Sequence, residues 1–74
     1  MSPTLEHIAD LVALQLGLER VDPNARLIED LGATSIDLVA VLATIGERWG
    51  IELDETIFAE VETVAELARR VAAN

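Results

Sequence analysis

The stretch "EDLGATSIDLVAVL", residues 29–42, decides how the rest of this 74-residue chain is read. Its left half is loop: two acids, then Leu31, Gly32 and Ala33. Its right half is a mostly apolar run long enough to enter a helix. Thr34 and Asp37 have the spacing of a Thr-x-x-Asp capping box, in which the hydroxyl accepts from a first-turn N–H and the carboxylate reaches back. The helix therefore starts with Thr34 as its cap, and Ser35 occupies the first helical position. There its hydroxyl lies beside unpaired backbone N–H groups at the positive end of the helix dipole. A phosphate ester on Ser35 would be stabilised by about 0.3–1 kcal/mol as an exposed anion. Serine is also an ordinary residue at a helix start, so position alone leaves both readings open.

Working outward, this second helix should run to Trp49 and stop at a left-handed Gly50. A wheel at about 100° per residue puts Leu38, Leu42, Ile45 and Trp49 on the buried face. The opposite face carries Ile36, Ala40, Ala43, Thr44 and Glu47. Gly46 costs about 1 kcal/mol relative to Ala in a helix interior; either something must approach closely there, or the glycine is tolerated near the end. Upstream, Pro3 suits a first helical position with Ser2 as cap, and Leu5, Ile8, Ala9, Val12 and Leu16 recur at helical spacing as far as Gly17. That gives a first helix over roughly 3–16. The loop "GLERVDPNARLIEDLGA" is long, and its Val21, Leu27, Ile28 and Leu31 are expected to pack against the helices. Downstream, Asp54 can cap a short helical turn within "IELDETIFAE". Thr63 and Glu66 form another capping box for a last helix whose buried stripe is Val64, Leu67, Ala68 and Val71. "GIEL" at 50–53 is the one extended-looking piece and is too brief to pair alone. The expected fold is all-α, a small bundle of three main helices plus one short helix, with residues 1–74 forming one domain.

Composition narrows the function. Fourteen acidic against five basic residues give a formal charge of −9. Nucleic acid and anionic membrane surfaces are poor partners for such a chain, because phosphate binding needs Lys and Arg. A basic protein partner suits the charge, although acidity also serves solubility alone. There is no Cys and a single His, so neither a disulfide nor a metal site with the usual ligand spacings is expected. No signal peptide is evident at the N-terminus, and the uncharged run "LVAVLATIG" at 38–46 is too short to span a bilayer. The expectation is a cytoplasmic monomer.

Catalytic constellations are missing too. His7, on the first helix beside Glu6, reads as an exposed helix residue. The carboxylates are scattered as in a solvated surface. "DETIFAE" lacks the alternating ligands and central Gly of a calcium loop, and "DLGATS" has no Lys to be a P-loop. An enzyme is not expected. No local residue would deprotonate Ser35, so another protein would have to install any group there.

"DLGATSIDLVAVL" resembles the attachment-site motif of the acyl carrier proteins, in which an Asp-Leu-Gly loop leads to a Ser followed by an aliphatic and an acidic residue. Asp30, Leu31, Gly32, Ser35, Ile36 and Asp37 fill those roles, and chain length, acidity, helix order and the final "TVAELARRV" agree. The resemblance implies a free-standing carrier bearing 4′-phosphopantetheine on Ser35, donated by coenzyme A through a phosphopantetheinyl transferase. The arm's thiol would hold acyl, aminoacyl or polyketide cargo as a thioester, which also accounts for the missing cysteine. Fatty acid, polyketide and nonribosomal peptide biosynthesis are all open. Acyl-, aminoacyl- or ketosynthase-type enzymes with basic or apolar patches would dock on Ile36, Asp37, Ala40 and Glu47. Leu42, Ile45, Leu53, Ile57 and Val64 are candidates to line a cargo space, or are ordinary core. Thr34 stands where many acyl carriers have Asp and many peptidyl carriers have His. "TIFAEVETVAELA", with Phe58, looks more like the peptidyl and multidomain-synthase carriers. The alternative is a binding-only helical module that keeps the fold without the modification.

Overall fold

A computed structural model describes residues 2–74. Three α-helices, α1 (Leu5–Leu16), α2 (Ser35–Trp49) and α3 (Val64–Ala72), are joined by a long loop and by a segment holding a short 3-10 helix, Glu55–Ala59. Among the described residues there is no strand; the nearest to one is an isolated antiparallel bridge between Arg26 and Thr63. α1 packs against both α2 and α3, and the 3-10 helix packs against α2. The core is aliphatic: Ile8, Val12, Leu27, Ile45, Val64, Leu67 and Val71 are almost wholly buried. Among the described residues no charged or polar one is buried with them, so this core carries no desolvation penalty that needs repair.

The starts of all three α-helices follow one chemistry. Thr34 and Asp37 close the capping box of α2, and Thr63 and Glu66 that of α3. Asp54 caps the 3-10 helix by accepting from the Thr56 N–H. α1 departs from the sequence expectation. It starts at Leu5 with Thr4 as its cap, not at Pro3 with Ser2. The reason is a box closed by histidine: Thr4 Oγ1 accepts from the His7 N–H at 3.1 Å, and His7 Nδ1 accepts from the Thr4 N–H at 3.1 Å. Pro3 is buried ahead of the helix. His7 is thus no idle surface residue, and its ring also stacks on Trp49, with centroids 5.9 Å apart. Leu5, expected in the buried stripe, is 42% exposed because it lies at the open first position; Leu11 and Ala13 complete the inner face instead.

The long loop is tied to α3. Val64 and Ala65 donate their N–H groups to the carbonyls of Ala25 and Pro23 at 3.2 and 2.8 Å, and Leu27 N–H donates to Glu62 O at 2.8 Å. The loop thereby caps two first-turn donors of α3 that have no partner within the helix. Leu27 is buried, and Val21 and Leu31 pack at the core's edge, as expected. Ile28 is 58% exposed. It sits on the outer side of the turn that Leu27 anchors.

Candidate functional site

The approach to Ser35 is built from a single tight turn. Asp30 and Leu31 both donate their N–H groups to Arg26 O at 3.0 Å, and Gly32 N–H donates to Ile28 O at 3.1 Å. The Asp30 carboxylate closes the turn by accepting from the Arg26 N–H at 2.8 Å. Gly32 then reverses the chain at φ 71°, a left-handed conformation that side chains other than glycine's disfavour. Ala33 turns inward, buried, with its N–H on Leu27 O. Thr34 follows as cap, and Ser35 emerges exposed at the first position of α2.

Around Ser35 the first turn is half satisfied. Asp37 N–H donates to Thr34 Oγ1 at 3.2 Å, and Leu38 N–H to Thr34 O at 3.0 Å. The N–H groups of Ser35 and Ile36 have no partner among the described residues. Two open donors at the positive end of a 15-residue helix therefore flank an exposed hydroxyl, which is what a phosphate ester needs. The donor set fits phosphopantetheine: one free hydroxyl for the ester and two free N–H groups for its oxygens.

Asp37, expected as a docking charge, is also bound up in the scaffold. Oδ2 accepts from Thr34 N–H and Thr34 Oγ1–H, each at 3.0 Å, and Oδ1 accepts from Gln15 Nε2–H at 3.4 Å. The hydrogen bonds from Thr34, and then the one from Gln15, hold its carboxyl below the usual 3.8. The Arg26 guanidinium and backbone N–H do the same for Asp30. Neither carboxylate is a free base for Ser35.

The outer face of α2 differs from the wheel reading in two places. Ile36 is 79% exposed, and Ala43 and Glu47 are exposed as expected. Ala40 and Thr44, however, are half-buried, and the Thr44 hydroxyl donates to Ala40 O at 3.0 Å. Val39, which the wheel does not single out, is 45% exposed. It lies one turn along from Ser35, and Ser35, Val39, Leu42 and Gly46 fall within about 60° of one another around the helix. An open groove of ≈ 610 Å³ continues that line. Val39, Leu42, Ala43, Gly46 and Leu53 give it an apolar floor, and Glu47, Glu52, Asp54 and Glu55 an acidic rim. Of the five cargo candidates, Leu42 and Leu53 line this groove. Ile45, Ile57 and Val64 are buried in the core and line neither this groove nor a smaller cleft of ≈ 360 Å³ that holds Phe58, Leu38 and Arg26. Val39 and Val41 are the same residue type at similar angles from the wheel's buried centre, so no sequence signal separates exposed Val39 from buried Val41. Nothing in the sequence alone sets the groove's far wall.

Residues 6–71 match the family described as "Phosphopantetheine attachment site". The chain belongs to this family of acyl carrier proteins. It is 42% identical over 52 residues to an acyl carrier protein of Nitratidesulfovibrio vulgaris (strain DSM 19637 / Miyazaki F), an alignment covering 68% of each chain. Its fold superposes with a TM-score of 0.81 on BlmI, a type-II acyl-carrier-protein from Streptomyces verticillus involved in bleomycin biosynthesis, at 31% identity, covering 93% of this chain and 83% of that one. The acyl carrier protein is thus a non-catalytic carrier with a phosphopantetheine attachment site, and its family implies a transferase and biosynthetic enzymes as partners. No helix of the described residues is long and apolar enough to cross a membrane.

Proposed function

We propose that Ser35 Oγ is the attachment atom, and that the protein carries acyl, aminoacyl or polyketide cargo between enzymes that dock on the start and outer face of α2. The observation that carries this reading is an exposed Ser35 flanked by its own unpaired N–H and that of Ile36, on a turn held by Asp30, Gly32 and Thr34. When bound, the group supplies a terminal thiol that holds the cargo as a thioester. The chain's own residues do the rest. Thr34 and Asp37 keep the first turn closed, and the Ser35 hydroxyl takes no part in the box. Forming the Ser35 O–P bond would break the P–O–P linkage of coenzyme A and release adenosine 3′,5′-bisphosphate, and the hydroxyl proton would leave to a base of the transferase, since Asp30 and Asp37 are engaged. Ile36 offers an apolar anchor, Glu47 a steering charge, and Ala40 and Ala43 the room for a partner to close on them. On this reading the carrier works in the cytoplasm, beside the coenzyme A that donates its arm. Incubation with coenzyme A and a broad-specificity transferase should add one phosphopantetheine to the intact mass, and Ser35→Ala should abolish the gain. A gain that persists in the alanine variant removes the assignment.

A further inference from the structure

Between Arg20 and Arg48 the chain has one basic side chain, Arg26, and it sits at the root of the turn that presents Ser35. Its guanidinium is spread over two carboxylates. Nε and Nη2 each reach an oxygen of Asp30 at 3.2 Å, and Nη1 reaches Glu29 Oε2 at 2.8 Å. Its backbone is engaged at both ends of the same turn: its N–H donates to Asp30 Oδ2, and its carbonyl accepts from the N–H groups of Asp30 and Leu31. Across the chain it pairs with Thr63, the cap of α3. Arg26 thus links the entry of α3 to the turn that ends in Ser35.

Two physical consequences follow. A planar fork fixes the orientation of a carboxylate in a way that the point charge of lysine does not. It also offsets part of the negative charge of Glu29 and Asp30 within the turn itself. The three groups are each about half exposed, and exposed pairs contribute little to stability. Orientation and local charge are therefore what the cluster supplies.

We propose that Arg26 is a positioning residue for the modification of Ser35, acting through Asp30 to hold the Asp30–Gly32 turn as the transferase meets it. This rests on the reading of Ser35 as the attachment site. The test is steady-state pantetheinylation of the full apo chain by a broad-specificity transferase, for Arg26→Ala, Arg26→Lys, Asp30→Asn and the Arg26→Ala/Asp30→Asn pair. Arg26→Ala is expected to lower kcat/KM for the carrier about tenfold, with the KM for coenzyme A unchanged. Arg26→Lys should recover only part of the rate, and the double variant should be no slower than the slower single one. Thermal melts establish that each variant is folded at the assay temperature; Arg26→Met, which keeps the stem, replaces Arg26→Ala should that one melt there. Wild-type rates in Arg26→Ala, full rescue by lysine, or losses that multiply in the double variant would overturn the proposal. Ser35→Ala runs alongside. If it still gains mass, the attachment reading itself falls; if it does not and Arg26→Ala is unimpaired, only the role of Arg26 falls.

Discussion

Thr34 and Ser35 are neighbouring hydroxyls with different engagements: Thr34 Oγ1 accepts from the Asp37 N–H and donates to its carboxylate, while Ser35 Oγ has no partner among the described residues. The box makes stability depend on the charge of Asp37. Its carboxyl titrates below the ordinary 3.8 because Thr34 and Gln15 hydrogen-bond to the ionised form. A depressed carboxylate stabilises the fold above its unfolded pKa and loses that contribution as pH falls through the folded one. Asp37→Asn should therefore melt below wild type from neutral pH down to about 4, with the gap closing as pH drops further. A gap independent of pH down to strongly acidic solution would mean that the charge is immaterial. Ile36 is the other decisive residue. At 79% exposure it can be replaced without disturbing the core, and burying such a side chain against a partner is worth about 1.5–3 kcal/mol. Ile36→Asp is expected to keep the melting temperature yet slow both modification and transfer at least about tenfold, or roughly 1.4 kcal/mol. Unfolding would make Ile36 core; unchanged rates would place docking elsewhere. Much at this scale was legible, because Thr34 and Asp37 interact within one turn that also holds Ser35. The engagement of Asp37 by Gln15 was not, since it joins residues far apart in the chain.

At the scale of elements, α2, the 3-10 helix and α3 could be read from caps and spacing. α1 and its stop at Gly17 could be read in the same way, but its start could not, because its box uses His7 as acceptor, a residue that the Ser/Thr-x-x-Glu rule does not admit. Ala40 and Val39 show a second limit: a wheel gives the direction of a side chain but not the width of the neighbour. Ala40 and Thr44 are half-covered, whereas the groove leaves Val39 open. Gly46 is settled by geometry. A Cβ there would meet Ile51 O at 3.6 Å, an ordinary contact, so nothing packs closely enough to require glycine. Gly46→Ala should stabilise the domain by about 0.4–1 kcal/mol, a rise of several degrees in melting temperature for a chain of this size. A lower melting temperature would show that the groove floor does not tolerate the methyl group.

For the whole molecule, charge is the governing quantity. Fourteen acids and five bases on 74 residues give −9, and the three ion pairs among the described residues, around Arg26 and Arg70, engage only part of the acids. Self-repulsion should weaken the compact state at low ionic strength. Raising salt to about 0.1–0.15 M, where screening shortens to roughly 8–10 Å, is expected to raise the melting temperature; a flat or falling trend would contradict this. All-α architecture and element order were legible because the core is an unbroken set of aliphatic stripes. The way the loop caps α3 was not, because the carbonyls of Pro23 and Ala25 carry no side-chain signature. The grooves, which form between elements, were equally hidden.

The account turns on which oxygen bears the arm. The most direct measurement is site-resolved tandem mass spectrometry of the wild-type protein after incubation with coenzyme A and a broad-specificity transferase. The account expects a single phosphopantetheine on the peptide containing residues 33–38, with fragment ions assigning it to Ser35 and leaving Thr34 unmodified. Modification of Thr34 or of any other hydroxyl, or a wild-type protein that gains no mass while a known carrier in the same tube does, would contradict it.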